Sequence, residues 1–329
     1  MTAAPLRWGI LATGKIARKF AQGLQTLPDA VLQAAGSRSL EAARAFAAEF
    51  QIPHAHGSYE ALVADPTVDI VYVASPHVFH REHTLLALRH GKHVLCEKPF
   101  AMHAGEAEEM AAEARARGLF LMEAMWTRFL PAWVQARKWI AEGRIGSIRL
   151  LQADFSFLSA GFDPEDRKYS PALGGGALLD IGIYPVSLSY MLFGREPADT
   201  ASLAHLGRTG VDEQSAYLFR YDQGELAVLS CSFDTHGTKE AVVCGDKARI
   251  RVPLFWRARQ AILETNDEIL ETFDGGYPAT GLQYQAAEAM QCIREGRTES
   301  ALMPLDETLR IMRRLDRLRG GWGLRYPGE

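Results

Sequence analysis

Two short stretches carry residues whose types and spacing suit acid–base chemistry. GGGALLDIGIYP, residues 174–185, runs three glycines into an apolar segment and sets Asp180 four residues before Tyr184. On a helix that spacing puts both side chains on one face. The same residues would also serve as a phosphate loop or a plain helix start. Glu97-Lys98-Pro99 follows a buried apolar run. A lysine there sits at the C-terminal end of a strand, where open α/β sheets bind ligands. The proline fixes the backbone beside it and is open to a cis bond. A turn with a surface lysine is the plain alternative.

These residues need a scaffold. Up to about residue 125, apolar runs near 6–12, 31–37, 69–75, 93–97 and 119–125 alternate with amphipathic segments. Ile16, Phe20, Leu24 and Leu27 recur at helical spacing, and Ser39 is placed to cap a second helix. Strands alternating with helices predict an α/β, doubly wound parallel sheet. Its first strand–helix turn is Ala12-Thr13-Gly14-Lys15-Ile16-Ala17. Positions 12, 14 and 17 match a dinucleotide fingerprint written Ala, Gly, Ala. Only the central glycine is kept, the one that lets the backbone approach a pyrophosphate. The helix start adds free N–H groups and a positive dipole end. The glycines at 174–176 lack the Lys-Ser/Thr of a phosphate loop and are expected instead to let the chain pass close to substrate and cofactor. The second strand ends at Ser37-Arg38-Ser39, and the first acidic residue, Glu41, lies inside the next helix. A hydroxyl and a guanidinium suit a 2′-phosphate, so NADP is expected ahead of NAD.

After residue 145 the pattern changes. Residues 148–158 read as a strand, and short strand-like runs with turn signals fill about 200–273, too close together for crossover helices. An open, mainly antiparallel sheet covered on one face by helices is predicted, an α+β unit. Helical patterns return at 282–296 and 304–319. The expected domains are 1–125, binding NADP, and 126–329, binding substrate and making an oligomer.

Together GILATGKIA, the SRS strand end, ASPHVFH (74–80), EKP (97–99) and GGGALLDIGIYP resemble the glucose–fructose oxidoreductase/inositol dehydrogenase/rhizopine catabolism (Gfo/Idh/MocA) oxidoreductases, over nearly the whole chain. MEAMWTRFLP (122–131) and Tyr184 are most similar to the branch of dimeric dihydrodiol dehydrogenases and NADP-dependent xylose dehydrogenases. The resemblance implies a Rossmann cofactor domain in which Ala12, Thr13, Gly14, Lys15, Ile16, Ser37, Arg38, Ser75, Pro76, His80, Glu97 and Lys98 bind NADP. It implies Lys98 beside the nicotinamide and the reacting oxygen, with Asp180 and Tyr184 as its catalytic partners. Many members carry histidine where Tyr184 stands. A phenol has an ordinary pKa near 10, so it needs a nearby cation to act as a base at neutral pH, and Lys98 is the expected one. Trp126, Phe155 and Trp256, with Arg128, are the substrate-binding candidates, flat walls for a sugar or a cyclic trans-diol. The implied activity is hydride transfer between such a hydroxyl carbon and nicotinamide. A non-catalytic NADP-sensing regulator and a sugar–sugar oxidoreductase with a tightly held cofactor are the alternatives.

Other features exclude more than they assign. The chain has 329 residues and a net charge of −4, so no global field draws it to nucleic acid or anionic membrane. No apolar run is expected to reach transmembrane length, and Met1 to Arg7 lacks the apolar core of a signal peptide. Cys96, Cys231, Cys244 and Cys292 form no metal-type pair and are expected as reduced thiols in the cytoplasm. His77, His80 and His83 are spaced by three but lack an acidic or thiol partner, so no metal is expected. Arg310 to Arg319 is read as the solvated face of a docked helix. One free apolar sheet face predicts a homodimer or homotetramer.

Overall fold

The computed structural model describes residues 4–329. The signal-peptide expectation concerned residues 1–7, of which 1–3 lie outside the described residues. The first sheet holds β1 (Leu6–Leu11), β2 (Ala30–Gly36), β3 (His54–His56), β4 (Ile70–Val73), β5 (His93–Glu97) and β6 (Leu121–Ala124). Their order is β3-β2-β1-β4-β5-β6, all parallel. Strands β4 and β6 are buried throughout, as expected where helices cover both faces. The connecting helices are α1 (Lys15–Leu24), α2 (Leu40–Phe50), α3 (Tyr59–Val63), α4 (His80–Arg89) and α5 (Ala104–Arg117). Strand order reverses between β1 and β4, the switch point where such sheets bind nucleotides.

Helix α6 (Pro131–Ala141) leads into the second sheet: β7 (Ile148–Ser156), β8 (Asp199–Leu206), β9 (Asp212–Arg220), β10 (Leu226–Ser232), β11 (Glu240–Gly245), β12 (Arg249–Pro253), β13 (Gln260–Glu264) and β14 (Ile269–Asp274). The order is β14-β13-β12-β11-β7-β10-β9-β8, antiparallel except for the β7/β10 pair. Along β9, Ser215, Tyr217 and Phe219 are buried while Gln214, Ala216 and Leu218 are exposed. That alternation marks a sheet with one covered face. A π-helical turn (Leu178–Gly182) and α7 (Ile183–Phe193) lie on the covered side, against β7, β9 and β10. The stretch Pro171–Phe193 does reach membrane-spanning length and apolarity, contrary to the sequence reading; 83% of its apolar window is buried inside the protein.

The domain assignment needs one correction. One compact unit runs to Trp126 and takes in Pro278–Met312; the other is Thr127–Tyr277 with Arg313–Glu329. Helix α8 (Gln283–Arg294) and the first half of α9 (Leu305–Gly321) thus belong with the parallel sheet. The cause is packing. Trp8 Nε1–H points at the Met290 sulfur, 3.4 Å away. Thr280 donates to Lys19 O at 2.9 Å, and Leu121 N to Thr298 O at 3.1 Å. A Cβ on Gly23 would lie 3.1 Å from Gln283 N, so α1 and α8 meet closely there. The basic stretch is corrected too. Arg314 and Arg319 are buried, not solvated, because Glu196 (2.6 Å) takes one and Asp316 and Glu329 take the other.

Met290 is 1% exposed, so Met290→Ala should cost about 2–4 kcal/mol. Urea unfolding followed by near-UV circular dichroism checks this, because Trp8 reports on the site. A loss under about 0.5 kcal/mol would detach α8 from this core.

Candidate active site

At the end of β1 the chain turns through Ala12 with φ +74°. This is where the fingerprint's first glycine normally stands, and the left-handed backbone shows why. Helix α1 then starts at Gly14 with no side-chain cap and no acidic residue in its first turn. A Cβ on Gly14 would meet no atom within 4 Å, so the helix mouth is open. Arg18 holds the turn by donating to Thr13 O at 2.7 Å. At the end of β2, Ser37 is half-buried and Arg38 exposed; Ser39 caps α2 by accepting from Ala42 N. No carboxylate stands at that strand end. These residues fit a dinucleotide with a 2′-phosphate: N–H groups for the diphosphate, a hydroxyl and a guanidinium for the extra charge.

The ends of β4 and β5 share that edge of the sheet. Lys98-Pro99 is a cis peptide bond, and Lys98 is half-buried. Buried carboxylates brace the loop on both sides. Glu97 accepts from Tyr72 Oη and from Lys98 N (3.2 Å), and burial pushes its carboxyl pKa up. Glu123 accepts from Phe100 N (3.2 Å) and Thr308 Oγ1 (3.1 Å). Glu123 was missed in the sequence because its partners lie 23 and 185 residues away. His80 bridges the two loops: Nδ1 lies 2.8 Å from Pro99 O and Nε2 2.9 Å from Ser75 O. Burial, with the neighbouring His77, holds its pKa down to about 3, so the ring is neutral and donates to one carbonyl at a time. His83 Nδ1 meets Ser75 Oγ at 2.8 Å. Two of the three evenly spaced histidines are therefore fasteners of Ser75. Pro76 is exposed beside them.

In the other unit, Asp180 lies in the π-helical turn and Tyr184 in the first turn of α7. The i→i+5 bonding widens the turn, which brings residues four apart nearer one line than an α-helix would. Asp180 is held by a residue the sequence did not reveal. Arg167 donates Nη1 to Oδ1 (3.1 Å) and Nη2 to Oδ2 (3.2 Å). The Asp180 charge, first, raises the guanidinium pKa above its ordinary value, and Tyr184 is among the groups whose charge it feels. Arg167 is 61% exposed, so the pair stabilises the fold by only about 0.2–1 kcal/mol. Its effect is on orientation and field.

The aromatic candidates separate. Phe155 stacks on Trp256 (4.0 Å between centroids, 20°) and meets Tyr184 at 5.5 Å. Thr127 Oγ1 anchors Trp256 by donating to its carbonyl at 2.8 Å. Trp126 is half-buried and precedes the point where the chain passes between units. Arg128 was expected to face substrate. It is 2% exposed, and its Nη2 donates to Ser187 O and Oγ, both at 3.0 Å. It braces α7 one turn beyond Tyr184.

Two of the three glycines, Gly175 and Gly176, are required by close contacts within their own unit. A Cβ on Gly175 would lie 2.8 Å from Lys168 O, and one on Gly176, at φ +123°, 2.5 Å from Asp212 Oδ1. Asp212 is fully buried. Its Oδ2 accepts from Leu178 N at 2.7 Å, the first residue of the π turn, while Oδ1 has no hydrogen-bond partner. Burial pushes its pKa up to about 7.

A family model described as "Oxidoreductase family, NAD-binding Rossmann fold" matches residues 6–125, and one for the GFO/IDH/MocA C-terminal domain matches 133–251. The trans-1,2-dihydrobenzene-1,2-diol dehydrogenases of Xenopus laevis and Homo sapiens are each 36% identical, covering 98% of this chain and 99% of theirs. Among solved structures, the 3-ketoreductase KijD10 of Actinomadura kijaniata, in complex with NADP and TDP-benzene, superposes with a TM-score of 0.83. It is 30% identical and is matched over 96% of this chain and 98% of its own. The aldose–aldose oxidoreductase of Caulobacter crescentus, complexed with glycerol, gives 0.88 at 25% identity, over 96% and 97%.

Asp212 makes a pH-dependent prediction. The folded chain keeps this proton while the unfolded chain, near 3.8, sheds it. Wild-type stability should therefore fall as pH rises from about 4 to about 7, then level off, by up to a few kcal/mol. Asp212→Asn should lack that fall and exceed wild type above pH 7. Parallel stability–pH curves, from urea unfolding of both proteins, would contradict this.

Proposed function

The chain belongs to the Gfo/Idh/MocA oxidoreductases, and from that premise we propose that it is an NADP-dependent dehydrogenase acting on a hydroxyl carbon of an aldose or a cyclic trans-diol. NADP, when bound, supplies the hydride acceptor in one direction and the donor in the other. The helix mouth at Ala12-Thr13-Gly14, with Lys15 and Ile16 in its first turn, is assigned the diphosphate, and Ser37 with Arg38 the 2′-phosphate. Ser75, Pro76, His80, Glu97 and Lys98 are assigned the nicotinamide end.

The observation that carries the reading is the grouping of Tyr184, Asp180 and Arg167 beside an aromatic wall. Tyr184 takes the substrate hydroxyl proton as the alkoxide character develops. Lys98 stabilises that charge. Asp180 orients the hydroxyl or the lysine. Arg167, tied to Asp180, is a second cation that favours the ionised phenol. Phe155 and Trp256 offer flat apolar surface to the C–H face of a ring. Trp126 is kept as a third wall; Arg128 is assigned to supporting α7.

The finer reading goes further. The dihydrodiol dehydrogenase relatives favour a trans-diol, and an aldose such as xylose is the second substrate class. The aldose–aldose neighbour favours one alternative, a cofactor that stays bound while two sugars exchange hydride; retention of NADP through desalting would reveal it. We assign a homodimer or homotetramer to the uncovered sheet face, where Leu203 is 83% exposed and Leu218 pairs with Val228. Four unpaired cysteines are in keeping with a reducing cytoplasm.

Tyr184→Phe should lower kcat by about 10²–10⁴-fold while leaving NADP affinity, read by fluorescence titration, unchanged. An undiminished kcat would pass the proton to Lys98. Steady-state assays of wild type with trans-diols and aldoses should give a higher kcat/KM with NADP than with NAD. A preference for NAD would remove the 2′-phosphate role from Ser37 and Arg38.

A further inference from the structure

Even spacing singles out His77, His80 and His83, yet the nitrogens of His80 and His83 are taken by carbonyl and hydroxyl oxygens. A different set converges at the free edge of the parallel sheet. His54 and His56 stand two apart on β3, so both rings project from the same side of the strand. Asp65, just past α3, meets them. Its Oδ2 lies 2.6 Å from His54 Nδ1 and 3.0 Å from His56 Nε2. All three ligand atoms fall within 4.8 Å of one another. We propose that His54, His56 and Asp65 form a binding site for one divalent transition-metal cation of the zinc class, separate from hydride transfer.

The ligand chemistry fits. Two neutral imidazoles and one carboxylate, with a position left for water, are a standard three-ligand set for zinc. Bonds of about 2.0–2.1 Å hold tetrahedral ligand atoms roughly 3.3 Å apart. The two imidazole–carboxylate separations need to open by well under 1 Å, and the two ring nitrogens, within 4.8 Å of each other, need to close by no more than about 1.5 Å; the side chains have that freedom: His54 is 41% exposed and His56 23%. On binding, each ring moves its proton to the other nitrogen and turns a lone pair to the cation. The carboxylate is already oriented. Its Oδ1 accepts from Thr67 N (2.8 Å) and Thr67 Oγ1 (2.6 Å), an outer shell of the kind that steadies metal ligands. The Lys92 ammonium sits on Asp65 O at 2.7 Å. One carboxylate beside that charge holds the affinity below that of a closed four-ligand centre.

The test is calorimetric titration of ZnCl₂ into the full chain, stripped with EDTA and free of nucleotide, in a non-chelating buffer. Wild type should take up one zinc per chain. His54→Gln and His56→Gln should each bind at least about tenfold more weakly, while His90→Gln, at a surface histidine just past α4, should match wild type. Zinc should also raise the melting temperature of wild type and not of His54→Gln. Co²⁺ in wild type gives a second readout that needs no variant: visible absorption of a four- or five-coordinate centre is expected. No stoichiometric zinc in wild type, undiminished binding in both ligand variants, or the spectrum of six-coordinate aqueous Co²⁺ would each overturn the site.

Discussion

The hydrogen bond from Leu178 N to the buried Asp212 carboxyl fixes where the π-helical turn begins. Everything assigned to this unit's chemistry follows from that start. Asp180 and Tyr184 owe their shared direction to the turn it opens. The approach is so close that only glycine, at positive φ, fits at 176. Tyr326 closes the same corner by donating to Gly175 O at 2.6 Å. Arg128 then holds the far end of the first α7 turn through Ser187. The catalytic candidates are thus held by buried groups of their own unit: Asp212, Tyr326 and Arg128.

The cofactor-binding unit uses the same device with different chemistry. Lys98 stands on a cis-proline loop whose neighbours are held by two buried carboxylates and one neutral histidine. Buried polar groups at this density are costly unless paired. Here the bonds tie the loop to the ends of β5 and β6 and to the start of α4, so the cost goes into fixing the loop. The open mouth of α1 is the exception. It is uncapped, and an anion there would meet unopposed N–H groups.

Much of this was legible in the sequence because it is periodic. Parallel strands buried on both faces read as apolar runs, and β9 reads as an alternation; both fix the fold class locally. Gly14 and the Ser37-Arg38 strand end were legible because their chemistry lies within a few residues. The rest depends on pairings across the chain. Arg167 sits in a loop with no period, and nothing before folding says it will reach Asp180. Asp212 reads as an ordinary strand start, and Glu123 as part of an apolar run. The return of 278–312 to the first unit rests on Trp8 meeting Met290, 282 residues away. Arg128 misled for the converse reason: it stands beside the candidate Trp126 in sequence, while its partner Ser187 is on α7.

The central claim is that Tyr184 is the proton acceptor and that the Arg167–Asp180 pair tunes it. The most direct measurement is the pH dependence of kcat/KM for substrate oxidation, in wild type and in Arg167→Met. If Tyr184 accepts the proton, the ionised phenol is the active form and kcat/KM rises with pH through its pKa. Removing the guanidinium takes away one positive charge that Tyr184 feels and makes that ionisation harder. The account predicts that the rising limb moves to higher pH in the variant. A limb that stays where it is, with only its height changed, would contradict it.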